Sequence, residues 1–481
     1  MCIVIRHLQK GHTRMADNKL VEMDKHILGE VWTSQTAYDN LQYMCDDIGH
    51  RFAGSPLEHQ AAEFLASKMR EYGLENVRLE EFPMASWERG DCSLTLTAPV
   101  EKEISAIALP YCPSADFEAE VIDVGEGELP DFERLADKIK GKIVFTDAET
   151  NKPGERKSHR IDKFNWAVER GAKAIVYMNQ NPGLLRITGS IPGTMAKSQV
   201  AEGREAPIPG LGISFEAGKA LRRLAQKGQP KMKIKTTNKT YDSKSYNVIG
   251  EIVGTEKPDE VILLGGHYDG HDVAQGAGDD GAGTIVGVEA GRALAGLKGQ
   301  LKRTVRVICF GAEEVGLLGA WYHADQNKDT NFRYVMNLDG AGRGSGGSEQ
   351  MTVSLMPEIA NYFENIGKEL PYNFGIRDEL NSHSDHFPFA VRGFPNGTLN
   401  SSDSTAGMIG RGWGHTEADT FDKIDPRGLQ MSAILCARLT VRLSEDEDFP
   451  SRKYTVAEVE KQLDSAGILD RQKQSGNFPP N

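Results

Sequence analysis

Val261-Ile262-Leu263-Leu264-Gly265-Gly266-His267-Tyr268-Asp269 is the stretch on which the fold turns. Four aliphatic residues in a row, closed by two glycines, read as a central parallel strand buried on both faces. The chain continues through a glycine-rich loop, GHDVAQGAGDDGAG (270–283), into GTIVGVEAGRALAGL (283–297), whose apolar spacing is helical. Two further apolar runs follow, TVRVICF (304–310) and YVMNLDG (334–340). Strands alternating with helices predict an α/β fold, a mainly parallel mixed sheet sandwiched by helices. Right-handed crossovers bring the carboxyl ends of such strands to one edge, where sites in these sheets lie.

What ends each run matters most. The first ends in His267-Tyr268-Asp269, the second in Gly311-Ala312-Glu313-Glu314, the third in Asn337-Leu338-Asp339-Gly340. Asp279 and Asp280 stand in the loop between the first two, and Gly414-His415-Thr416-Glu417 comes much later. Taken singly, a histidine after a strand is a satisfied polar residue, Asp-Asp-Gly a turn, and Glu-Glu a solvated edge. Gathered at one sheet edge, carboxylates repel and need a cation. Two imidazoles with four carboxylates suit a borderline divalent ion, zinc above all.

The segments GGHYDGHDVAQGAGDDGAG, FGAEEVGLLGA, MNLDGAG, SDHFPF and GHTEADTFDKID, in this order, resemble the motifs of the co-catalytic zinc exopeptidase family, which includes bacterial leucyl aminopeptidases and glutamate carboxypeptidases. The resemblance spans roughly residues 35–440. It implies the phosphorylase/hydrolase-like fold of that family and two Zn2+ per chain. By that resemblance, His267 and Asp339 would bind one zinc, Glu314 and His415 the other, and Asp279 would bridge them. Asp280 would support these ligands from behind, through a cis peptide bond with Asp279. Asp269 would orient His267 through its far ring nitrogen. Glu313 would be the general base on water activated by the metal. The expected reaction is hydrolysis of terminal peptide bonds of short peptides, as an aminopeptidase or dipeptidase. The resemblance also implies a homodimer. A glutaminyl-cyclase-like enzyme with a single zinc, and a non-catalytic receptor on the same fold, are the alternatives; the full ligand set argues against both.

Some positions depart from the family or fall outside its motifs. Gly270-His271 replaces the family's usual residues after His-x-Asp, and His271 is expected to line the pocket rather than ligate. His383 and His386 are expected to be structural or to face the substrate. Ser384-Asp385-His386 is no nucleophilic triad, because consecutive side chains cannot converge as a relay requires. Arg411 and Arg392 are the candidates for a substrate carboxylate, and Trp413 for an apolar wall.

The chain around this centre has 481 residues, which predicts two or three domains. A texture of short strands and helices marks an inserted unit: LADKIK (135–140), KGKIVFTDA (140–148), FNWAVERGAKAIVYMNQNP (164–182) and APIPGLGIS (206–214). It resembles a protease-associated domain. The expected organisation is an N-terminal extension (1–33), a catalytic domain (34–114 and 241–445), the insert (115–240) and a C-terminal appendage (446–481). Within the appendage, Thr455 to Glu458 reads as a helix-starting capping box, and QSGNFPPN (474–481) as frayed.

Composition narrows the partners. The net charge of −13 argues against nucleic acid and anionic membranes, and no apolar run approaches a membrane span. A peptide is the expected partner. Six scattered cysteines without a CxxC pair read as free thiols. The four-residue apolar stretch Cys2–Ile5 is too short for a signal-peptide core, so a cytoplasmic location is expected, with secretion the alternative if the N-terminus is misassigned or Met15 is the start.

Overall fold

Residues 18–149, 158–191, 205–370, 372, 374–401 and 412–480 are described here from a computed structural model. Residues 18–32 form a helix, which buries Met23, Ile27 and Val31 at i, i+4, i+8 spacing. A short helix (Thr36–Gln42) and a π-helical turn (Tyr43–Ile48) follow, then a helix at Pro56–Glu71. Ser55 caps that helix by accepting the Glu58 N–H at 3.2 Å. Glu58 does not return a bond to the Ser55 N–H. Glu58 is fully buried and accepts instead from Gly54 N (2.6 Å) and Ser245 Oγ (2.6 Å).

The strands, in chain order, are β1 (Glu75–Glu88), β2 (Cys92–Ala98), β3 (Lys102–Ile104), β4 (Ala106–Ala108), β5 (Ala115–Asp123), β6 (Ile143–Asp147), β7 (Ala174–Met178), β8 (Gly210–Ile213), β9 (Lys231–Thr236), β10 (Lys239–Ile252), β11 (Lys257–Gly265), β12 (Arg303–Cys309), β13 (Asn331–Asn337), β14 (Glu349–Val353), β15 (Gly375–Asp378) and β16 (Asn396–Ser401). They form two eight-stranded sheets. The first has the order β1-β10-β12-β11-β13-β16-β14-β15. Its centre, β12-β11-β13-β16, is parallel, and antiparallel pairs flank it. All of β12 and the Val261–Gly265 half of β11 are buried, as a strand covered by helices on both faces requires. The helix Ala282–Ala295 buries most of its surface against this sheet and against the long helix Pro426–Glu445. The three runs read from the sequence are thus β11, β12 and β13, and their carboxyl ends share one edge.

The second sheet, β3-β2-β9-β5-β6-β7-β8-β4, leaves the first after β1 and returns at β10. It draws in Cys92–Ala108, ahead of the expected start at 115, because β2 pairs with β9 and β4 with β8. β1 and β10 pair antiparallel from Glu75↔Glu251 to Glu88↔Lys239, a two-stranded arm that carries the insert. The core of the insert runs on into the first sheet: Leu109 and Tyr111 cluster with Ala312, Val315 and Leu318, behind the Glu313-Glu314 turn.

At the C-terminus the capping box of Thr455 and Glu458 is complete and opens the helix Val456–Ser465. A further short helix, Leu469–Gln474, was not expected. Nor is the tail frayed: Phe478 is 3% exposed and joins the main core, so one apolar side chain anchors a segment whose composition reads as loose. The cysteines among the described residues are free thiols. No helix among the described residues is long and apolar enough to cross a membrane.

Candidate metal centre

Close backbone approach sets the site. At Gly265 a Cβ would lie 1.6 Å from Ile308 O, and at Gly266 one would lie 2.3 Å from Asp280 Oδ2. Only glycine lets β11 end so close to β12 and to the acidic loop. His267 then bridges to Phe310 across the ends of β11 and β12. Ala312 (φ 56°) and His415 (φ 60°) both sit in the left-handed region. For residues with a Cβ that conformation costs about 1–2 kcal/mol, and it is held at the two turns that present Glu313 and His415.

Three buried aspartates stitch the loops together. Asp269 accepts the backbone N–H of Glu313 (3.0 Å) and of Glu314 (3.2 Å), tying the end of β11 to the end of β12. Asp280 accepts Gly340 N at 2.9 Å, tying the acidic loop to the end of β13. Asp419 accepts Gly278 N (2.7 Å) and Asp279 N (3.0 Å), tying that loop to the His415 turn. The Asp279–Asp280 peptide is cis. Arg51, fully buried, holds the 268–276 loop by donating to Tyr268 O, Gln275 O and Gly276 O.

On this frame the expected ligands converge. His267 Nε2 lies 3.5 Å from Asp279 Oδ1, and His415 Nε2 lies 3.4 Å from Asp279 Oδ2 and 3.1 Å from Glu314 Oε2. Glu313 Oε2 is 3.9 Å from His267 Nε2. His267, Glu313 and Asp339 place donor atoms within 4.8 Å of one another, as do His271, Glu314 and His415. Zinc bonds of about 2.0–2.1 Å in a tetrahedron separate neighbouring donors by about 3.3 Å, so several of these spacings fit an ion. His267 Nδ1 faces the Asp269 backbone carbonyl at 3.1 Å and the Asp269 carboxylate at 3.4 Å. Asp269 therefore contacts the ring and also carries the Glu313-Glu314 turn.

The electrostatics carry the same excess of negative charge. Burial disfavours a charged His267, yet Glu313, Asp269 and Asp279 outweigh it and hold its pKa well above the ordinary value. Burial pushes Glu313 well up, with Glu314, Asp385 and Asp339 adding to it against His267. Burial also opposes an ionised Glu314, but His271 and His415 outweigh it and hold that carboxyl well below the usual range. Neighbours in sequence thus sit in opposite environments. Burial and Asp339 raise Asp280, and burial and Asp279 raise Asp419 to about 6.

Several residues at the centre gave no sequence signal as site residues. Arg343 donates to Gly278 O through Nε and places Nη2 3.0 Å from Asp279 Oδ1 and 3.2 Å from Asp339 Oδ1. Ser384 Oγ donates to Asp339 Oδ2 at 2.7 Å. The insert contributes too: the Thr188 carbonyl lies 3.3 Å from His415 Nδ1, Ser190 Oγ donates to Glu314 O at 2.5 Å, and Arg186 pairs with Glu417. Asp419 lies inside the motif GHTEADTFDKID, whose sequence assigns it no role. The backbone partners from the insert are invisible to sequence because any residue could supply them.

The remaining candidates fall elsewhere. A cleft of about 390 Å³ is lined by Ser158, His159, Gln180, Asn381, His383 and Arg343, together with Asp339 and His415. His383 stacks on His159 across it, centroids 4.3 Å apart. His386 is buried beside Thr398, and burial pushes its pKa down to about 4. Arg392 binds Asp325 and the Pro388 carbonyl over the Trp321 ring, so it is a packing residue and not a carboxylate receptor. Trp413 lies under Lys423. Arg411 lies outside the described residues.

Residues 247–440 match Peptidase family M28 and residues 105–221 match the PA domain. Carboxypeptidase Q of Rattus norvegicus is 26% identical over 430 residues, covering 86% of this chain and 87% of that protein. Aminopeptidase YwaD of Bacillus subtilis (strain 168) is 27% identical over 426 residues, covering 86% of each. Among solved structures, the Peptidase M28 precursor from Shewanella amazonensis SB2B superposes with a TM-score of 0.78 at 23% identity, over 92% of this chain and 100% of that one. BSAP, a zinc aminopeptidase from Bacillus subtilis, does so with a TM-score of 0.63 at 23% identity, over 85% and 95%. Both share the fold.

Proposed function

We propose that the chain is a zinc-dependent exopeptidase, a di-zinc aminopeptidase or dipeptidase of short peptides with Glu313 as general base, on a region matching Peptidase family M28 (247–440) joined to one matching the PA domain (105–221). One observation carries this reading. The two oxygens of Asp279 face different histidines, Oδ1 toward His267 at 3.5 Å and Oδ2 toward His415 at 3.4 Å, which is how a carboxylate shared by two ions is presented.

His267, Asp339 and Asp279 would hold one zinc; Glu314, His415 and Asp279 would hold the other. The pair would supply Lewis acidity toward a substrate carbonyl and a water whose pKa is lowered to about 7. The chain's own residues do the rest. Glu313 stands beside His267 and Asp339 while Glu314 turns to the two other imidazoles. Glu313 Oε2 can take the proton of the attacking water and pass it to the departing amine nitrogen. Asp269 fixes both glutamates through their backbone N–H groups. The insert closes the cleft over this edge and admits the end of a short peptide better than a folded chain. Arg343 spends its guanidinium on Asp279 and Asp339, which leaves it little to offer a substrate carboxylate and favours an amino-end enzyme.

The test is Glu313→Gln assayed on free, N-blocked and C-amidated dipeptides, with zinc counted in the same preparation. Two zinc ions per chain and a turnover reduced about 10²–10⁴-fold are expected, with N-blocking abolishing cleavage of the wild type. A variant that keeps most of its turnover overturns the role of Glu313, and a wild-type chain with one zinc overturns the paired centre.

A further inference from the structure

We propose that His271 is a fourth protein ligand to the metal held by Glu314, His415 and Asp279, so that this ion is closed by protein donors while its neighbour at His267 and Asp339 keeps an open position. The proposal rests on the two-zinc reading and adds to it a residue outside the expected ligand set.

The imidazole of His271 is 5% exposed, and neither ring nitrogen makes a hydrogen bond. An imidazole buried without a hydrogen bond gives up its hydration, and some other contact has to replace it. Its Nε2 nevertheless has company. It lies 3.0 Å from Glu314 Oε2, out of line for a hydrogen bond, and that same oxygen lies 3.1 Å from His415 Nε2. The other oxygen, Glu314 Oε1, is buried and unpartnered as well. The rings of His271 and His415 meet edge to face at 82°, centroids 4.5 Å apart. Two imidazoles set crosswise on one carboxylate oxygen, at 3.0 and 3.1 Å, come close to the donor spacing around a zinc ion.

The ring is aimed by its neighbours. Gly270 N donates to Arg51 O at 3.0 Å, and the Arg51 side chain grips the loop on both sides of His271. Asp272, the next residue, forms a two-pronged pair with Arg89 at 2.6 and 2.9 Å. Fixed on either side, His271 has little freedom to turn to solvent.

The consequence is an unequal pair. Zinc with four protein donors is typical of retained, structural ions, and three donors leave a position for water or substrate. The first ion would have two nitrogens and two carboxylates; the second one nitrogen and two carboxylates, a harder set that also suits Mn2+. One ion should therefore outlast the other under chelation.

The experiment uses the full chain, stripped and refilled with zinc or with Co2+, as wild type, His271→Gln and His271→Cys. Metal content is read across a graded chelator series, and the Co2+ forms are read by visible absorption. The wild type should hold two ions of clearly different affinity. His271→Gln should weaken the tighter one by at least about 10-fold, since even partners behind the ligands contribute 10–100-fold, and should change the Co2+ spectrum. His271→Cys should show a thiolate-to-cobalt band, which arises only if position 271 touches the ion, and it decides the matter even if His271→Gln folds poorly. Unchanged affinities in His271→Gln, or two bound ions without the thiolate band in His271→Cys, overturn the ligand. A wild type that holds one ion overturns the two-zinc reading instead, and the thiolate band still decides His271.

Discussion

Replacing Asp269 by Asn tests whether the Glu313-Glu314 turn is held from behind. Asp269 is fully buried, and its two oxygens accept one backbone N–H each, at 3.0 and 3.2 Å. An amide keeps one acceptor and turns an NH2 group toward the other N–H. The orphaned N–H costs about 1–3 kcal/mol, and the surviving bond, no longer charge-assisted, loses about 1 kcal/mol more. Removing the charge also relieves Glu58 and Asp385, whose carboxyls it helps burial to push upward. Both are already driven toward the neutral form, so that relief is the smaller effect. The expected loss of unfolding free energy is about 2–4 kcal/mol. Urea unfolding of metal-free Asp269→Asn and wild type measures it without the contribution of bound zinc, and turnover of the refilled proteins should fall because both glutamates lose their setting. Equal stability within about 0.5 kcal/mol, together with unchanged turnover, refutes the stitching argument.

Other outcomes follow from the same geometry. Refilling the stripped chain with zinc should raise its unfolding temperature, by about 2.7 kcal/mol of stability at a hundredfold excess over Kd; calorimetry with no shift would remove zinc from the folded-state account. Gly283→Ala would bring a Cβ to 2.2 Å from Leu338 O and 2.5 Å from Asp280 Oδ1, so about 1–3 kcal/mol of overpacking is expected in thermal unfolding, with zinc affinity reduced as Asp280 moves. At Asp24, burial raises the carboxyl, but hydrogen bonds from Arg442 and Arg438 outweigh it and hold it below the ordinary range. A depressed folded-state pKa means stability that is present above about pH 4 and lost as pH falls through the folded value. Asp24→Asn should cost about 3 kcal/mol at pH 7, the low end for a buried pair because the carboxylate stays 12% exposed, and the gap to wild type should close in acid. A pH-independent gap would contradict the pairing.

Legibility in the sequence followed the physics of each element. The runs at 261, 304 and 334 were plain because central parallel strands are mostly apolar on both faces, with few polar residues such as Thr304 and Arg306 among them, and β11, β12 and β13 lie there. Their terminal His267, Glu314 and Asp339 could be read as a set because topology alone puts those ends on one edge. The start of the second sheet was not legible. Cys92–Ala108 belongs to that sheet through pairing with β9 and β8, partners distant in sequence. The anchoring of Phe478 was hidden for a similar reason, since a lone aromatic in a polar tail does not announce its pocket. The place of Arg392 against Asp325 depends on a partner distant in sequence. Thr188 and Ser190 act through a carbonyl and a short hydroxyl near ligands more than a hundred positions away.

The two-stranded arm also bears on how the chain reaches this state. Glu88 and Lys239 pair at the tip of β1 and β10, with roughly 150 residues between them. Closing so long a loop from an unfolded chain costs about 3 kcal/mol more entropy than closing a four-residue turn. Once the insert is folded, however, Cys92 and Thr236 are already cross-strand partners. Its ends then stand where the ends of a hairpin loop would stand. To the catalytic sheet the folded insert is kinetically a tight turn, and the zipping of β1 onto β10 becomes a local event that waits on a distant domain.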